Sequence, residues 1–404
     1  MSLLSPTRAT PRRTSGPGVR SARRDPGASL GVAGLDWVLI GAVLALCTAS
    51  VLLVWSATAP RAEVDGTDPT GFLKRQLLNI VIGLVLMALV TVLDHRWVRI
   101  VTPLVYLGAV VGLGLVLVVG STINGSQSWL RVGGMSIQPS EFAKLAVVIG
   151  MALVLAERTE SRRGRVGAGE IAVMLLIAAV PAVLILAQPD LGTMLVLSAT
   201  VFGVLTVCGS PRRYLVLLLV GAATAAVAAV ALGLLKAYQL DRFLAFVDPS
   251  LDPRGAGYNV EQARIAIGNG GLLGQGLFQG TQTRAGFVPE QQTDFVFTVA
   301  GEELGLVGAA LLIALLGVVL WRALLIARAS EDVFGRVAAA GIACWFGFQS
   351  FQNIGMCLGI MPVTGVPLPF VSYGGSSLFA GMLAVGLLQN IHRRTRATAP
   401  RPLR

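Results

Sequence analysis

Long uninterrupted runs of apolar residues constrain this chain more than any other feature of its sequence. Residues 37–55 read WVLIGAVLALCTASVLLVW, and residues 309–321 read AALLIALLGVVLW. A run of roughly 20 apolar residues crosses the hydrocarbon core of a bilayer as an α-helix. Only helices and closed barrels satisfy their backbone polar groups there, and these runs lack the alternation of barrel strands. The sequence therefore predicts an all-α, polytopic membrane protein. Its first apolar run is too long for a typical signal peptide and is expected to remain as a transmembrane span.

The basic residues between the apolar runs predict the orientation of the chain in the membrane. Arginines cluster in residues 1–35, in alternate loops such as 158–165, and after residue 391. Most of the 32 basic residues thereby fall on one side, and the positive-inside rule places that side, with both termini, in the cytoplasm. About ten spans are predicted, at residues 36–58, 76–93, 101–120, 141–157, 170–187, 191–208, 215–235, 294–321, 337–359 and 376–391.

Three segments are predicted along the chain. Residues 1–35 are rich in Pro, Gly, Ser and Arg and are expected to form a disordered basic cytoplasmic tail, residues 36–391 a single transmembrane domain, and residues 392–404 a second basic cytoplasmic tail. The net charge of +11 is mostly the orientation signal, so contact of the first tail with anionic lipid is favoured over nucleic-acid binding. The four cysteines lie in apolar runs, without disulfide or metal-ligand spacing.

Polar motifs collect on the predicted outer face, where three loops are long: 121–140, 236–293 and 360–375. Each inward-going helix there opens with a Pro or a capping residue, and three of the four starts carry an acid. Helix capping is one interpretation of these residues, and for Asp190 and Ser372 it is favoured equally with a functional role. The four starts read IQPSEFAK at 137–144, QPDLGT at 188–193, QQTDFVF at 291–297 and PLPFVSYGGSS at 367–377.

Asp294 is harder to explain as a cap, because Thr293 beside it can cap the same helix. It follows the long outer loop 236–293, which contains four arginines and many glycines. A carboxylate at the membrane boundary, overlooked by arginines, is a candidate general base. Within that loop, VEQARIAIG at 260–268 is expected to form a short amphipathic helix on the membrane surface, and the remainder a mobile loop able to close over a ligand.

Four charged residues lie inside predicted spans. Glu302 and Glu303 come two to three turns after the start of the eighth span, and Glu141 and Lys144 share one face of the fourth at a spacing of three. An ionised side chain at the bilayer centre costs about 2.5–3.5 kcal/mol on insertion scales, so such residues usually face the bundle interior and pair. Structural ion pairing is one interpretation of all four, and a polar cavity that opens outward is the other.

Four motifs in order give the chain a family resemblance. NGSQSWLRVGGMSIQPSEFAKL, QPDLGT, PEQQTDFVFTVAGEELGLVG and MPVTGVPLPFVSYGGSS together resemble the SEDS family of shape, elongation, division and sporulation proteins. The resemblance covers nearly all of the chain after residue 35. Residues 353–370 are more similar to the RodA-like elongation branch than to the FtsW-like division branch, whereas the Arg-rich N-terminal tail is not a core feature of the family.

The resemblance implies a peptidoglycan glycosyltransferase. Such enzymes polymerise lipid II into glycan strands linked to undecaprenyl diphosphate, at the outer face of the cytoplasmic (inner) membrane, beside a class B penicillin-binding protein that crosslinks the strands. Asp294 matches the family's essential carboxylate, Glu141 and Lys144 match its QPSExxKL motif, and Arg242 matches its conserved arginine at the start of the long loop.

The chemistry that the family performs fits these residue types. A carboxylate within reach of the acceptor sugar hydroxyl serves as general base, here Asp294. The lipid diphosphate leaves as an anion, and Arg242, Arg131 and Lys144 are the candidates to stabilise it, with Glu141 and Ser372 as further substrate-binding residues. No compact His/Asp/Glu cluster predicts a metal site, although a bound divalent cation, Mg²⁺ or Mn²⁺, is an alternative for the same task.

Two other functions stay open at this point. Intramembrane acids and irregular stretches are also typical of lipid flippases and secondary carriers, and a pure scaffold for the penicillin-binding protein is a third possibility. Two features favour the enzyme over the carrier. The polar motifs crowd at the outer face instead of the midplane, and Gly/Pro-broken spans are not repeated in both halves of the sequence.

Overall fold

The architecture is a helical bundle with one small sheet. The computed structural model describes residues 34–398 except 124–125, 133–134, 162–165, 234–236, 249–251 and 253–254. Nearly all of the predicted N-terminal tail and the last residues of the C-terminal tail therefore lie outside the described part. The helices are α1 Trp37–Val64, α2 Gly71–Val92, α3 His95–Val119, α4 Pro139–Ser161, α5 Ala168–Ala187, α6 Leu191–Val207, α7 Arg212–Ala231, α8 Ala237–Val247, α9 Ala256–Asn269, α10 Thr281–Ala285, α11 Val296–Glu303, α12 Gly305–Ala329, α13 Val333–Leu358 and α14 Gly375–Thr398.

The predicted spans correspond to helices of this bundle, which confirms an all-α membrane fold. Seven of the described helices are long and apolar enough to cross a membrane: α1, α2, α3, α4, α5, α7 and α12. Helix α6 is apolar but only 17 residues long. Helices α13 and α14 are long and less apolar, because they lie inside the bundle and carry buried amide side chains such as Gln349 and Gln389.

Helices α4, α6 and α13 form the centre of the bundle. Helix α4 is almost wholly buried, and small residues let its neighbours approach it closely. A Cβ on Gly341 of α13 would lie 2.7 Å from Val148 of α4, and one on Gly203 of α6 would lie 2.5 Å from Cys344 of α13. Helix α7, by contrast, has no buried residue and stands at the periphery.

The two termini of the bundle meet at one end. Asp36, just before α1, donates its backbone N–H to Gln389 of α14 at 2.9 Å and forms an ion pair with Arg322 of α12 at 2.6 Å. At the same end of α14, Asn390 contacts His95, which lies 2.9 Å from Asp332 before α13. This arrangement agrees with the prediction that both termini share one side of the membrane.

Three features differ from the sequence predictions. The eighth span is two helices, because Gly305 adopts a φ of +66° and separates α11 from α12. The loop 121–140, predicted to lie on the outer face, contains a small antiparallel sheet, β1 Ser121–Ile123, β2 Ser126–Val132 and β3 Met135–Ile137, in the order β1-β2-β3. Helix α14 continues to Thr398, past the predicted end of the last span at residue 391.

The loop 236–293 is largely helical. It contains α8, α9 and α10, and the predicted amphipathic helix is present as α9. Its apolar residues Val260, Ala263 and Ala266 are buried, and α9 packs against α11 and α13. The expectation that this helix lies on the membrane surface is therefore wrong, since its apolar face is covered by protein.

Candidate functional site

A polar cavity of about 180 Å³ lies where the long connecting segments meet the ends of the central helices. We call it the Asp294 cavity. Several separate parts of the chain form its wall, which brings residues that are far apart in sequence into one site. The polar residues of that wall include Ser128 of β2, Gln138, Asp190, Arg242 of α8, Glu290, Asp294 and Ser376 of α14.

A tight turn places Asp294 immediately before α11. Glu290 adopts a φ of +50°, which only a few per cent of non-glycine residues do. Its carbonyl oxygen accepts hydrogen bonds from the backbone N–H groups of Thr293, Asp294 and Phe295 at 3.1, 3.1 and 3.3 Å. The turn therefore fixes the backbone of Asp294 before the helix begins, and unusual backbone conformations of this kind concentrate at functional sites.

A buried asparagine supports the same residue from below. The side-chain nitrogen of Asn353 in α13 donates to the carbonyl oxygen of Asp294 and to that of Val366, each at 2.7 Å. Asn353 is fully buried. It therefore ties the turn that carries Asp294 to residues 360–374, the irregular segment between α13 and α14, which we call the strap.

The strap forms the wall beside the Asp294 carboxylate. Gly365 has a φ of +69°, and a Cβ built on it would lie 3.2 Å from Oδ2 of Asp294. A side chain there would be strained and would press on the carboxylate. Glycine at this position lets the strap backbone approach the acid closely.

The surroundings raise the pKa of Asp294 to about 7. Burial contributes most, because it disfavours the charged form, and the negative charge of Glu290 acts in the same direction. The positive charge of Arg242 opposes both, and Asp190 adds a further increase. A carboxyl with this pKa is partly ionised near neutral pH and can both take up and release a proton, which is the property of a general base.

Arg242 is the only basic residue among the described residues that line the Asp294 cavity. It lies on α8, and it also lines a neighbouring cavity of about 20 Å³, together with Gln239 and Leu195. Leu195 in turn lines a third, apolar cavity of about 950 Å³ between α5, α6, α7 and α13. Arg242 therefore lines two cavities, and the smaller of them shares Leu195 with the apolar cavity.

Asp190 caps α6, as the capping interpretation predicts. Its Oδ1 accepts from the backbone N–H of Thr193 at 2.9 Å, and its Oδ2 accepts from the Thr193 hydroxyl at 2.7 Å and from Gln138 at 3.2 Å. Burial raises its pKa. Because these donors already occupy the carboxylate, Asp190 shapes the cavity wall and is a weaker candidate for a base than Asp294.

Glu141 and Lys144 lie beneath the cavity and do not line it. Lys144 is fully buried, 2.8 Å from Glu141 and 2.7 Å from the side-chain oxygen of Gln349, with its ammonium 5.2 Å from the ring centre of Trp345. Gln349 donates to the carbonyl oxygen of Pro367 at 2.9 Å. The predicted pairing is confirmed, and the pair supports the strap from inside the bundle.

Ser372 and Arg131 are also outside the cavity wall. Ser372 is buried and its hydroxyl accepts a hydrogen bond from Leu368 N–H at 2.8 Å, within the strap. Helix α14 begins at Gly375, so Ser372 does not cap it. Arg131 lies exposed on β2, whereas Ser126 and Ser128 of the same strand line the cavity.

Glu302 and Glu303 fasten the outer loop instead of facing the cavity. Glu302 accepts from the backbone N–H groups of Gln282 and Thr283 at 2.7 and 2.9 Å and from the Thr283 hydroxyl at 2.7 Å. Glu303 accepts from the hydroxyl of Ser56 in α1 at 2.6 Å. The segment after α9, which the sequence predicts to be a mobile loop, is thus joined to α11 by the Glu302 carboxylate in this structure.

The sequence analysis missed several residues of this site. Asn353 is a polar residue within the run WFGFQSFQNIG, and that position alone could have marked it. Gly365 and Tyr373 carry no local signal, because their place in the cavity depends on the path of the strap. Among the described residues, no group of three or more His, Cys, Asp or Glu side chains is arranged to hold a metal ion.

Comparison with known proteins identifies the family. Residues 36–397 match the family model of the FtsW/RodA/SpoVE cell cycle proteins. The chain is 39% identical to stage V sporulation protein E of Bacillus subtilis (strain 168) over 368 residues, 89% of this chain and 98% of that protein. It is 38% identical to the peptidoglycan glycosyltransferase MrdB of Escherichia coli (strain K12) over 362 residues, 89% of this chain and 93% of that protein.

Solved structures agree with this family. A chain of a peptidoglycan synthase complex, in which polymerization and crosslinking are coordinated, is 35% identical with a TM-score of 0.75, covering 89% of this chain and 98% of that chain. The rod shape determining protein RodA of Thermus thermophilus is 33% identical with a TM-score of 0.64, covering 89% of this chain and 97% of that one. The chain therefore belongs to the FtsW/RodA/SpoVE family of cell cycle proteins, the SEDS family.

Proposed function

We propose that this protein is a peptidoglycan glycosyltransferase that polymerises lipid II, with Asp294 as the general base. The observation that carries the proposal is a carboxyl with a pKa of about 7 in a polar cavity that, within the described part of the chain, has Arg242 as its one basic lining residue. Relatives that share more than a third of its residues over most of its length are named peptidoglycan glycosyltransferases.

The reaction needs one proton acceptor. The hydroxyl oxygen of the acceptor sugar attacks the anomeric carbon of the donor sugar, and its proton passes to the carboxylate of Asp294. The bond between the anomeric carbon and the diphosphate breaks, and its electron pair leaves with the diphosphate. The attack comes from the face opposite the leaving group, so the anomeric configuration inverts. A positioned base of this kind contributes about 10² to 10⁴ to the rate.

The leaving group needs positive charge. Arg242 lines the Asp294 cavity and also the small cavity that shares Leu195 with the apolar cavity, so its guanidinium can contact a diphosphate whose sugar occupies the first cavity and whose lipid extends toward the apolar one. Its guanidinium stabilises the charge that develops on the departing diphosphate. Asp294 and Arg242 then act on opposite ends of one displacement.

The apolar cavity suits the prenyl chain of the substrate. It is about 950 Å³ in volume, and its lining, which includes Leu175, Met194, Phe202 and Phe348, is almost entirely apolar. Helix α7, which has no buried residue, forms one side, so the chain can enter from the bilayer. The lipid tail stays in an apolar environment while its headgroup reaches the polar cavity.

The charge distribution supports an outward-facing site in the cytoplasmic (inner) membrane. Asp36 before α1 and Gln389 of α14 meet at one end of the bundle, from which the sequence continues into its basic tails. The Asp294 cavity lies at the other end of α13, since Asp332 precedes that helix and Asn353 is near its far end. Under the positive-inside rule the Asp294 cavity faces outward. The basic tails follow the same rule and lie in the cytoplasm.

The biological setting follows from the same family. We propose a role in cell elongation, as in the RodA branch, on the basis of residues 353–370, with a division role as the alternative. The partner is a class B penicillin-binding protein, in keeping with a similar chain that belongs to a complex of polymerization and crosslinking. Arg131, Ser372, Glu141 and Lys144 stay proposed substrate-site residues, with Glu141 and Lys144 acting through the strap.

One experiment separates enzyme, carrier and scaffold. The purified protein and its partner are incubated with lipid II in detergent, where no membrane has to be crossed. We expect glycan strands from the wild type and none from Asp294→Ala. A lipid II flippase would make no strands under these conditions, and a scaffold would support growth of cells that carry only Asp294→Ala.

A further inference from the structure

A second polar cavity opens beside the first on the outer face. It is about 260 Å³ in volume and lies between the end of α1, the connection to α2, and residues 288–292. We call it the Arg61 cavity. Glu290 lines both this cavity and the Asp294 cavity, so the turn that carries Asp294 is the wall between them.

Helix α1 is long enough to build this site outside the hydrocarbon core. Its 28 residues span about 42 Å at 1.5 Å per residue, against about 30 Å for the core. Arg61 lies near its C-terminal end, where the side chain is exposed, 4.0 Å from Asp65. Polar side chains at this level are therefore available to a ligand in water.

The floor of the Arg61 cavity is fixed. Gln291 is buried, and its side-chain nitrogen donates to the carbonyl oxygen of Ala57 in α1 at 2.9 Å and to that of Thr283 at 3.0 Å. Phe72 of α2, in the wall, stacks edge-to-face on Tyr373 at 5.1 Å between ring centres. Tyr373 lines the Asp294 cavity, so this aromatic pair joins the two sites.

The side chains of the Arg61 cavity suit a sugar rather than a lipid. An arginine, two carboxylates and an amide offer hydrogen bonds to hydroxyl, acetamido and carboxyl groups, and one aromatic ring offers an apolar face to sugar C–H groups. These residues are Arg61, Asp65, Glu290, Gln292 and Phe72. The described lining of the apolar cavity contains aromatic rings and the hydroxyl of Ser198 but no charged or amide side chain.

The proposed reaction creates a need for such a place. Each round lengthens a strand that is far larger than the Asp294 cavity of about 180 Å³. Sugars beyond the reacting one must lie against the outer surface, and an enzyme that holds them keeps its strand between rounds. We propose that the Arg61 cavity is a saccharide subsite that binds the growing glycan beyond the sugar that reacts at Asp294; this rests on the proposed function.

Strand length tests this subsite. The double variant Arg61→Ala/Asp65→Asn removes the exposed guanidinium of Arg61 and the negative charge of Asp65 from the cavity, and Glu63→Gln, on the same turn of α1 but outside the cavity, is the matched control. Purified proteins polymerise lipid II under equal conditions, and product lengths and rates of lipid II consumption are measured. We expect strands about fivefold shorter from the double variant, which corresponds to about 1 kcal/mol of lost retention, and a much smaller change in rate. Strands as long as those of the control, or length and rate that fall in proportion, would overturn the proposal.

A binding measurement separates this proposal from the proposed function. A soluble tetrasaccharide of alternating N-acetylglucosamine and N-acetylmuramic acid is added to Asp294→Asn protein, and saturation-transfer NMR records its contacts. We expect the tetrasaccharide to bind Asp294→Asn protein and not to bind the double variant Arg61→Ala/Asp294→Asn. Equal binding by the two proteins would overturn the subsite. Binding at Arg61 by a protein whose wild type makes no polymer would support the subsite and refute the polymerase.

Discussion

Replacing Asn353 by leucine tests how the bundle positions the proposed base. The variant keeps the branched shape of the side chain and removes the donor that holds the carbonyl oxygens of Asp294 and Val366, each at 2.7 Å. Two buried carbonyl groups then lack this partner, at a cost of about 1–3 kcal/mol each. Because Gly365 next to Val366 forms the wall beside the carboxylate, we expect that carboxylate to shift.

Polymerisation kinetics measure the effect of that shift. Displacement of a catalytic group by about 1 Å costs about 10² in rate, so we expect kcat of Asn353→Leu to fall by that factor while KM changes little. Gln352→Leu is the matched control: it removes two hydrogen bonds of 3.1 Å, to Pro362 and Thr364, from the same helix but none to Asp294. We expect a similar loss of thermal stability and a much smaller loss of kcat. Equal loss of kcat in the two variants would refute a specific positioning role for Asn353.

Three further predictions follow from the same geometry. The wild-type rate should rise with pH through about 7, where Asp294 ionises. Glu290→Gln removes a negative charge that raises the pKa of Asp294, so the rise in rate should move to lower pH. A pH profile that does not move in Glu290→Gln would contradict this role of Glu290. Gly365→Ala should lower kcat by at least about tenfold, because the position has a positive φ and its Cβ would lie 3.2 Å from the carboxylate of Asp294. Full activity of this variant would show that the strap accommodates the methyl group without displacing the carboxylate. Lys144→Ala should lower the free energy of unfolding by about 3–5 kcal/mol, because it leaves Glu141 unpaired and buried. The double variant Glu141→Gln/Lys144→Met should recover part of this loss, and thermal unfolding measures both variants.

The spans were predictable from sequence because each depends on local apolar composition. The eighth span shows the limit: its apolar run continues through Leu304 and Gly305, and only the positive φ of Gly305 separates α11 from α12. That break depends on contacts with the outer loop, where the N–H groups of Leu306 and Val307 bond to the carbonyl oxygens of Gly271 and Leu272. Long-range contacts of this kind leave no periodic pattern in the sequence.

The proposed base was identifiable because its motif and its boundary position coincide. Lys144 was harder to place, because the spacing to Glu141 predicts an ion pair without showing whether the pair faces a ligand or the protein. In the structure, Lys144 donates a hydrogen bond to Gln349, which in turn donates one to the carbonyl oxygen of Pro367 in the strap. Asn353 was missed for a related reason, since a buried amide gains its role only from carbonyl groups brought to it by distant segments.

The central claim is that the carboxylate of Asp294 takes the proton of the acceptor sugar. The most direct test compares lipid II polymerisation by purified wild type, Asp294→Asn and the control Asp68→Asn, whose exposed carboxylate bonds to Lys74 outside the Asp294 cavity. We expect the control to match the wild type and Asp294→Asn to lose about 10² to 10⁴ in rate while remaining folded. Polymer made by Asp294→Asn at the wild-type rate would contradict the account.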